Sequence, residues 1–141
     1  MKVIGFNGKE YSWNLAKYST VKNKDRSSRS QYHLRARAIL SDLFHSYTIL
    51  EEVKLPGSVD AHKKSVLYFD FYIPNLKLAV EVHGQQHYQY SPFFHKNKMD
   101  FIKAQNRDDD KRSWCELNDI ELVVLKYSET DDEWREQLRR K

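Results

Sequence analysis

The chain has 141 residues, 40% hydrophobic and 31% charged, a length and composition typical of one globular domain. No stretch approaches the roughly 18 consecutive apolar residues that a membrane helix needs, and the N-terminus lacks the apolar run of a signal peptide. We therefore expect a soluble, cytoplasmic protein with no membrane partner. A single cysteine, Cys115, excludes an internal disulfide and a cysteine-based zinc knuckle.

Positive charge is concentrated in the first half of the chain. Residues 1–64 carry 12 basic and 6 acidic side chains, whereas residues 65–141 carry 12 basic and 14 acidic ones. Such a distribution can neutralise nucleic-acid phosphates with release of counterions, although a solvated surface segment would have the same composition. The candidate DNA-binding residues are the seven basic residues between positions 17 and 37, where Asp25 is the single acid: Lys17, Lys22, Lys24, Arg26, Arg29, Arg35 and Arg37.

The first elements are predicted from turn residues and apolar spacing. Asn7-Gly8 favours a primed turn and hence a β-hairpin over residues 2–13, and residues 19–30 are typical of a loop. Residues 30–45 predict an amphipathic helix whose basic residues lie opposite its apolar side, and a strand over 47–55 ends at Pro56-Gly57. The apolar side of that helix consists of Leu34, Ala38, Ile39, Leu43 and Phe44. We divide the chain into a hairpin with a basic arm, residues 1–29, and a main unit, residues 30–141, within a single domain.

Two strands follow in the centre of the chain, and their alternation brings polar residues together. In residues 67–73 the odd-numbered side chains are apolar, which leaves Asp70 on the other face beside two tyrosines. In residues 78–83 the even-numbered side chains are apolar, which places Glu81 and His83 together on the opposite face. Asp70, Glu81 and His83 can therefore share one face of a sheet.

The last third of the sequence predicts a helix within residues 96–117, a strand over 120–127 and a final helix from Thr130, whose spacing to Glu133 fits a capping box. Periodicity leaves two inward faces open for the first of these helices. One face consists of Phe101, Ala104, Asp108, Lys111 and Cys115, and the other of Met99, Ile102, Asn106, Asp110, Trp114 and Leu117. A third alternative is that the run Asp108-Asp109-Asp110 is simply solvated.

The paired carboxylates suggest metal-assisted chemistry. Asp70 and Glu81 lie among apolar residues, where a charge is costly without a cation, and hard oxygen ligands suit Mg²⁺ or Mn²⁺. His83 could orient or deprotonate an attacking water, a role that calls for a pKa near neutrality. His87, beyond the turn at Gly84, could act on the leaving oxygen or contact a phosphate. The alternative for these four residues is an ordinary polar surface, and we interpret His62 and His95 as structural or exposed.

These motifs resemble the PD-(D/E)XK nuclease superfamily, whose core is αβββαβ. The segments FDFYIP, EVHGQQHY and RDDDKRSWCELNDIELVVL are most similar to the branch that holds the very short patch repair endonucleases and the EDxHD phage homing endonucleases. The resemblance covers residues 30 to 127, with the motifs in the family's order. It implies an α/β (α+β) fold of the restriction-endonuclease type, with a mixed central sheet flanked by helices.

The resemblance also implies roles for single residues. Asp70 and Glu81 bind the metal, His83 replaces the usual lysine, His87 is a second catalytic histidine, and Asp108 and Lys111 are the helix residues that reach the site. One departure is that His33 stands where members often have a first-helix glutamate. Either His33 substitutes for it, or Glu51 or Glu52 completes the shell, or the site is altered. The zinc-binding cysteines of the repair enzymes are also missing, so their substrate is not carried over.

We therefore expect a metal-dependent DNA endonuclease, phage-encoded and present in the cytoplasm of the host cell. It would use Mg²⁺ or Mn²⁺ and act on duplex or branched DNA, without a small-molecule substrate. Homodimerisation is one option for its assembly. The alternatives are an inactive nucleic-acid-binding module of the same fold and an RNA-directed nuclease. A His-Asn-His nuclease is disfavoured because its ββα arrangement does not need the D-x10-E-x-H pattern.

Overall fold

The computed structural model describes residues 1–18, 30–59, 66–92 and 95–139. These residues form a mixed α/β fold with an N-terminal antiparallel hairpin, a four-stranded mixed sheet and three α-helices. The elements are, in chain order, β1 (Lys2–Ile4), β2 (Glu10–Ser12), α1 (Gln31–Leu43), β3 (Leu50–Lys54), β4 (Tyr68–Ile73), β5 (Leu78–His83), α2 (Lys98–Leu117), β6 (Glu121–Lys126) and α3 (Asp131–Arg139). From α1 to β6 the order is helix, three strands, helix, strand, as expected from the sequence. Among the described helices, none is long and apolar enough to cross a bilayer.

The main sheet has the strand order β3-β4-β5-β6. The first three strands are antiparallel neighbours, and β6 runs parallel to β5 because α2 forms the crossover between them. Two apolar clusters cover the sheet. One contains side chains of α1 and α3, including Leu40, Trp134 and Leu138. The other contains side chains of the hairpin and α2, including Trp13 and Trp114.

The hairpin is present, but its turn differs from the primed turn expected. The Gly8 amide donates to the Gly5 carbonyl over 3.0 Å, which places Phe6 and Asn7 at the centre of the turn. Gly8 follows in the left-handed region, with φ of 80°, and Asn7 is not among the residues with positive φ. A type I turn followed by a left-handed glycine is the usual three-residue hairpin loop, so the single glycine here supports this turn instead.

Helix α1 begins where the sequence predicts, because the Ser30 side chain accepts a hydrogen bond from the His33 amide. Its buried side is rotated from the expected one. Ala38 is exposed, whereas His33 and Arg37 are 8% and 5% exposed. The expectation that the basic residues of this helix all face solvent is therefore wrong for Arg37. The reason is the buried carboxylate of Glu51, which supplies a partner for both side chains.

The regular alternation expected for residues 67–73 is interrupted at Asp70. Phe69 packs in the cluster of the hairpin and α2, together with Tyr72, whereas Phe71 packs in the cluster of α1 and α3. The neighbouring strand β3 changes face at the same level, at Glu52, whose φ is 53°. A left-handed residue in a strand turns the following side chains over, so the two strands change face together.

Helix α2 turns the first of its two candidate faces inward. Phe101, Ala104, Asp108 and Lys111 are half-buried and Cys115 is buried. The competing face exposes its ends, since Met99 and Leu117 are 57% and 47% exposed, and buries Trp114 completely. The last helix has the predicted capping box, in which Thr130 and Glu133 each accept a hydrogen bond from the other's amide over 3.2 Å.

Candidate active site

The two carboxylates lie where β4 and β5 stop pairing through their backbones. The ladder ends at the pair Phe71 and Val80. Beyond it, the Asp70 amide donates to Glu81 Oε2 over 2.7 Å, and the Val82 amide donates to Asp70 Oδ2 over 2.8 Å. Each carboxylate thus accepts a backbone hydrogen bond that a regular ladder would have satisfied, which holds both acids side by side.

Glu81 is buried at 2% exposure, and Lys111 of α2 donates to its Oε1 atom. Burial, together with the neighbouring charge of Asp70, raises the pKa of Glu81 to about 8 despite this ammonium group. The same two carboxylates raise the pKa of Lys111 against the effect of its own burial. Burial and the adjacent acid therefore favour the protonated form of Glu81 at pH 7, and a cation between the two acids would favour the ionised form.

The two histidines lie against each other at the end of β5. The rings of His83 and His87 stack in parallel, with centroids 4.0 Å apart and an interplanar angle of 5°. His87 Nδ1 is 2.9 Å from Asp108 Oδ2, and His83 Nδ1 is 3.1 Å from the hydroxyl of Tyr88. The carboxylate of Asp108 therefore orients the His87 ring, and the phenol of Tyr88 orients the His83 ring.

The histidine pair is electrostatically asymmetric. Burial, followed by the charge of His87, lowers the pKa of His83 to about 4, so this ring is neutral at pH 7. This value differs from the near-neutral pKa expected from the sequence. Burial alone would raise the pKa of Asp108, but the hydrogen bond from His87 and the surrounding positive charges hold it below its usual range. Asp108 is therefore an ionised acceptor for His87.

Two groups of residues offer ligand atoms for a cation. The carboxylates of Asp70 and Glu81 offer hard oxygen ligands, and a bound cation would offset the burial and the neighbouring charge that raise the pKa of Glu81. His83, His87 and Asp108 also offer ligand atoms within 4.8 Å of one another. The ring planes are parallel, however, so their nitrogen lone pairs do not converge on one point, and one ring would have to rotate before both could bind the same ion.

A cleft of about 500 Å³ opens beside the histidine pair. Its lining includes three residues that sequence reasoning missed: Tyr88, Arg112 and Lys126. Each has a signal in the sequence. Tyr88 follows His87 directly, Arg112 lies one helical turn beyond Asp108, and Lys126 ends the strand that runs parallel to β5, so it lies beside His83.

Two of the residues considered for the place of the first-helix glutamate, His33 and Glu51, contact each other on the α1 side of the sheet. His33 stacks on Phe71, with ring centroids 4.5 Å apart, and hydrogen-bonds to Glu51. Arg37 Nη2 donates to the same Glu51 oxygen over 3.1 Å. Burial alone would raise the pKa of Glu51, but these two partners outweigh it and lower the pKa. His33 and Glu51 therefore bind each other, and Phe71, on which His33 stacks, belongs to the cluster of α1 and α3.

The candidate DNA-binding residues are distributed differently. Lys17 is exposed, with its ammonium 5.3 Å from the ring of Tyr18. Arg35 pairs with Asp131 and lies 3.7 Å from the ring centroid of Trp134, and Arg37 is buried against Glu51. The remaining four, Lys22, Lys24, Arg26 and Arg29, lie outside the described residues, as does His62. His95 is buried and exchanges contacts with Ser91, in agreement with a structural role.

Three viral proteins are similar to parts of this chain. Uncharacterized protein 307L of Invertebrate iridescent virus 6 is 46% identical over 65 residues, which are 46% of this chain and 33% of that protein. Uncharacterized protein 094L of Frog virus 3 (isolate Goorha) is 36% identical over 84 residues, which are 59% of this chain and 54% of that protein. Uncharacterized protein 033L of Invertebrate iridescent virus 3 is 39% identical over 62 residues, 44% and 32% of the two chains. The chain thus spans between 32% and 54% of the relatives it matches. No family model and no solved structure matches it.

Proposed function

We propose that this protein is a metal-dependent endonuclease that hydrolyses phosphodiester bonds in DNA. The observation that carries the proposal is the convergence of six residues from β4, β5, the turn after β5 and α2 in two adjacent groups. Hydrogen bonds and an ion pair join Asp70, Glu81 and Lys111. His83 and His87 both approach Asp108, at 3.8 and 2.9 Å, and the charge of Lys111 acts on His83 and Asp108. Two oriented histidines that line an open cleft, with two acids and a lysine on the neighbouring strands and on α2, are suited to phosphoryl chemistry.

The geometry suggests a division of roles. Asp70 and Glu81 would hold Mg²⁺ or Mn²⁺, which when bound polarises the phosphate and lowers the pKa of a water molecule. His83 is held through Nδ1 by Tyr88 and is neutral at pH 7, so it is the candidate to orient the attacking water. His87, hydrogen-bonded to the ionised Asp108, is the candidate to donate a proton to the leaving oxygen. Lys111 keeps Glu81 oriented and lies in reach of both acids.

Two further observations support this proposal. The element order from α1 to β6, and the mixed sheet in which only the last pair is parallel, agree with the αβββαβ core that the sequence resemblance implies. The relatives are viral proteins, which supports a virus-encoded nuclease in place of the narrower phage origin expected from the sequence. The proposal of DNA as the substrate depends on the basic residues that precede α1 in the sequence.

The test replaces Asp70 with asparagine, which keeps the side chain's shape and removes its charge. We expect Asp70→Asn to abolish cleavage in Mg²⁺, a loss of at least about a hundredfold, while the unfolding curve stays cooperative. Cleavage is measured on supercoiled plasmid, single-stranded DNA, branched DNA and RNA, with Mg²⁺, Mn²⁺ or EDTA. Asp132→Asn on α3 is the matched control, because that exposed acid is outside the cluster, and it should cleave like the wild type.

The substrate panel separates the rival functions. Full activity of Asp70→Asn contradicts the active-site assignment. Cleavage of RNA alone would make the protein an RNA-directed nuclease. Binding of nucleic acid without metal-dependent cleavage of any substrate would favour an inactive binding module.

A further inference from the structure

Two cations border the histidine pair on the open side of the cleft. Lys126 is the last residue of β6, and its Cα is paired with that of His83 in the parallel ladder. Arg112 lies on α2, one turn beyond Asp108. Both side chains are exposed and both line the cleft of about 500 Å³. Two different elements thus bring positive charge to the same side of His83 and Asp108.

Neither cation is neutralised within the part of the chain that the structure describes. Among the described residues, the arginines and lysines that form ion pairs are Arg35, Arg37, Lys111 and Arg135. Neither Arg112 nor Lys126 is among them. The Lys126 ammonium lies 5.9 Å from the centroid of the Tyr88 ring, a weak contact that leaves its charge available. Asp108 accepts from His87, so Asp109 is the acid that remains on this side of the cleft.

We propose that Arg112 and Lys126 form a binding subsite for a substrate phosphate that neighbours the phosphate under attack. An arginine fork can bind two phosphate oxygens at once, and a lysine adds a compact charge, so the two side chains together suit a phosphodiester anion. The inference rests on the proposed function and extends it. The nucleic-acid strand runs from the carboxylate pair, past the histidines, towards the C-terminal end of β6.

The test measures binding without cleavage, by fluorescence anisotropy of labelled oligonucleotides in EDTA. We expect the double variant Arg112→Gln, Lys126→Gln to weaken binding about tenfold and to reduce the log-log salt slope by about 0.9 for duplex DNA. The matched control is Lys103→Gln, Arg107→Gln, which removes the same charge from exposed positions of α2 that do not line the cleft. Binding by this control should stay within about twofold of the wild type.

A single neutral methylphosphonate, moved along the oligonucleotide, locates the contact. The wild type should lose affinity at one position beside the cleavage site, and the double variant should lose no further affinity there. In cleavage assays the double variant should show a raised KM with kcat retained. Binding by the double variant equal to that of the control, or no binding of nucleic acid by the wild type, overturns the subsite.

The outcomes for the subsite and for the nuclease are distinguishable. If Asp70→Asn abolishes cleavage but the double variant binds like its control, the nuclease stands and the subsite is wrong. If no substrate is cleaved, but the double variant binds more weakly than its control and is insensitive to the methylphosphonate position that weakens the wild type, the subsite stands and the nuclease is wrong.

Discussion

Glu51 shows how a buried charge is held in this protein. Its side chain is fully buried and lies between His33 and Arg37 on the α1 side of the sheet. Within the described residues, Glu51 Oε2 and Arg37 Nε have no hydrogen-bond partner. Removing one member of such a group leaves the other charge buried and uncompensated, which costs about 3–5 kcal/mol.

We expect Glu51→Gln to lower the free energy of unfolding by about 3 kcal/mol at pH 7. The pKa of Glu51 is lowered in the folded state from its ordinary value of 4.5, so the unfolded chain binds the proton more tightly. The stabilisation is therefore complete above the ordinary pKa and is lost as the pH falls through the folded-state pKa. Urea unfolding of both proteins as a function of pH measures this.

The difference between wild type and Glu51→Gln should therefore shrink in acid. Glu116→Gln is the control because that side chain is exposed on α2, and its free energy of unfolding at pH 7 should stay within about 0.5 kcal/mol of the wild type. A Glu51→Gln difference that stays constant below about pH 4 would contradict the assignment of this charge.

At the level of elements, the hairpin is part of the core and not an appendage. Trp13 is 3% exposed and packs against Tyr72 and Trp114, with ring centroids 4.7 and 5.3 Å away. Its indole donates to the Lys54 carbonyl over 2.9 Å. Asn118, at the end of α2, exchanges two hydrogen bonds with the backbone of Ile4. The hairpin therefore supports the helix that carries Asp108 and Lys111.

We expect Trp13→Ala to lower the free energy of unfolding by about 3–5 kcal/mol, because a buried indole leaves a large cavity. Trp13→Phe keeps an aromatic ring and removes the hydrogen bond to Lys54, so it should lower the free energy of unfolding by less than Trp13→Ala does. We expect a loss about 1–2 kcal/mol larger than that of an exposed control, Tyr47→Phe. Denaturant unfolding measures both. A cost below about 1 kcal/mol for Trp13→Ala would show that the hairpin does not stabilise the domain.

Sequence reasoning predicted elements well where the signal is local. The Ser30 cap, the Thr130 and Glu133 box, and the alternation of β5 all depend on neighbours in the chain, and the structure confirms them. Sequence reasoning failed where a residue distant in the chain determines which side of an element is buried. The buried side of α1 is set by its contact with Glu51. The change of face at Asp70 in β4 accompanies the left-handed backbone of Glu52 in the adjacent strand β3. Neither is visible in a local pattern.

The candidate site was predictable for a related reason. Glu81 and His83 lie on one face of β5 by alternation alone, and Asp70 lies on the adjacent strand. Asp70 meets Glu81 at the point where β4 departs from its regular alternation. Periodicity could not choose between Asp108 and Asp110, and the resemblance selected Asp108, which is the residue that contacts His87. The cations Arg112 and Lys126 were missed because their proximity to the histidines depends on the parallel pairing of β5 with β6 and on the rotation of α2.

At the scale of the whole molecule, the positive charge of the first half is less available than the sequence suggests. Arg35 and Arg37 account for two of the seven candidate DNA-binding residues, and both are engaged with carboxylates. Lys17 is exposed, and the other four precede α1 in the sequence. Those four, Lys22, Lys24, Arg26 and Arg29, are therefore the residues on which the prediction of a phosphate-binding arm now depends.

We expect the quadruple variant with glutamine at positions 22, 24, 26 and 29 to bind DNA more weakly than the wild type. The loss of affinity should be about the same for every DNA sequence, because backbone phosphates carry no sequence information. The log-log salt slope should flatten by up to about 0.9 for each duplex phosphate that the variant no longer neutralises. Turnover at saturating DNA should change little, since none of the four belongs to the proposed catalytic cluster. The control carries the same charge change at Lys9, Lys77, Lys103 and Arg139, which are exposed and outside both the cleft and the basic segment. A slope in the quadruple variant equal to that of this control would show that the segment does not bind phosphates, and would leave Arg112 and Lys126 as the candidate phosphate-binding residues to test.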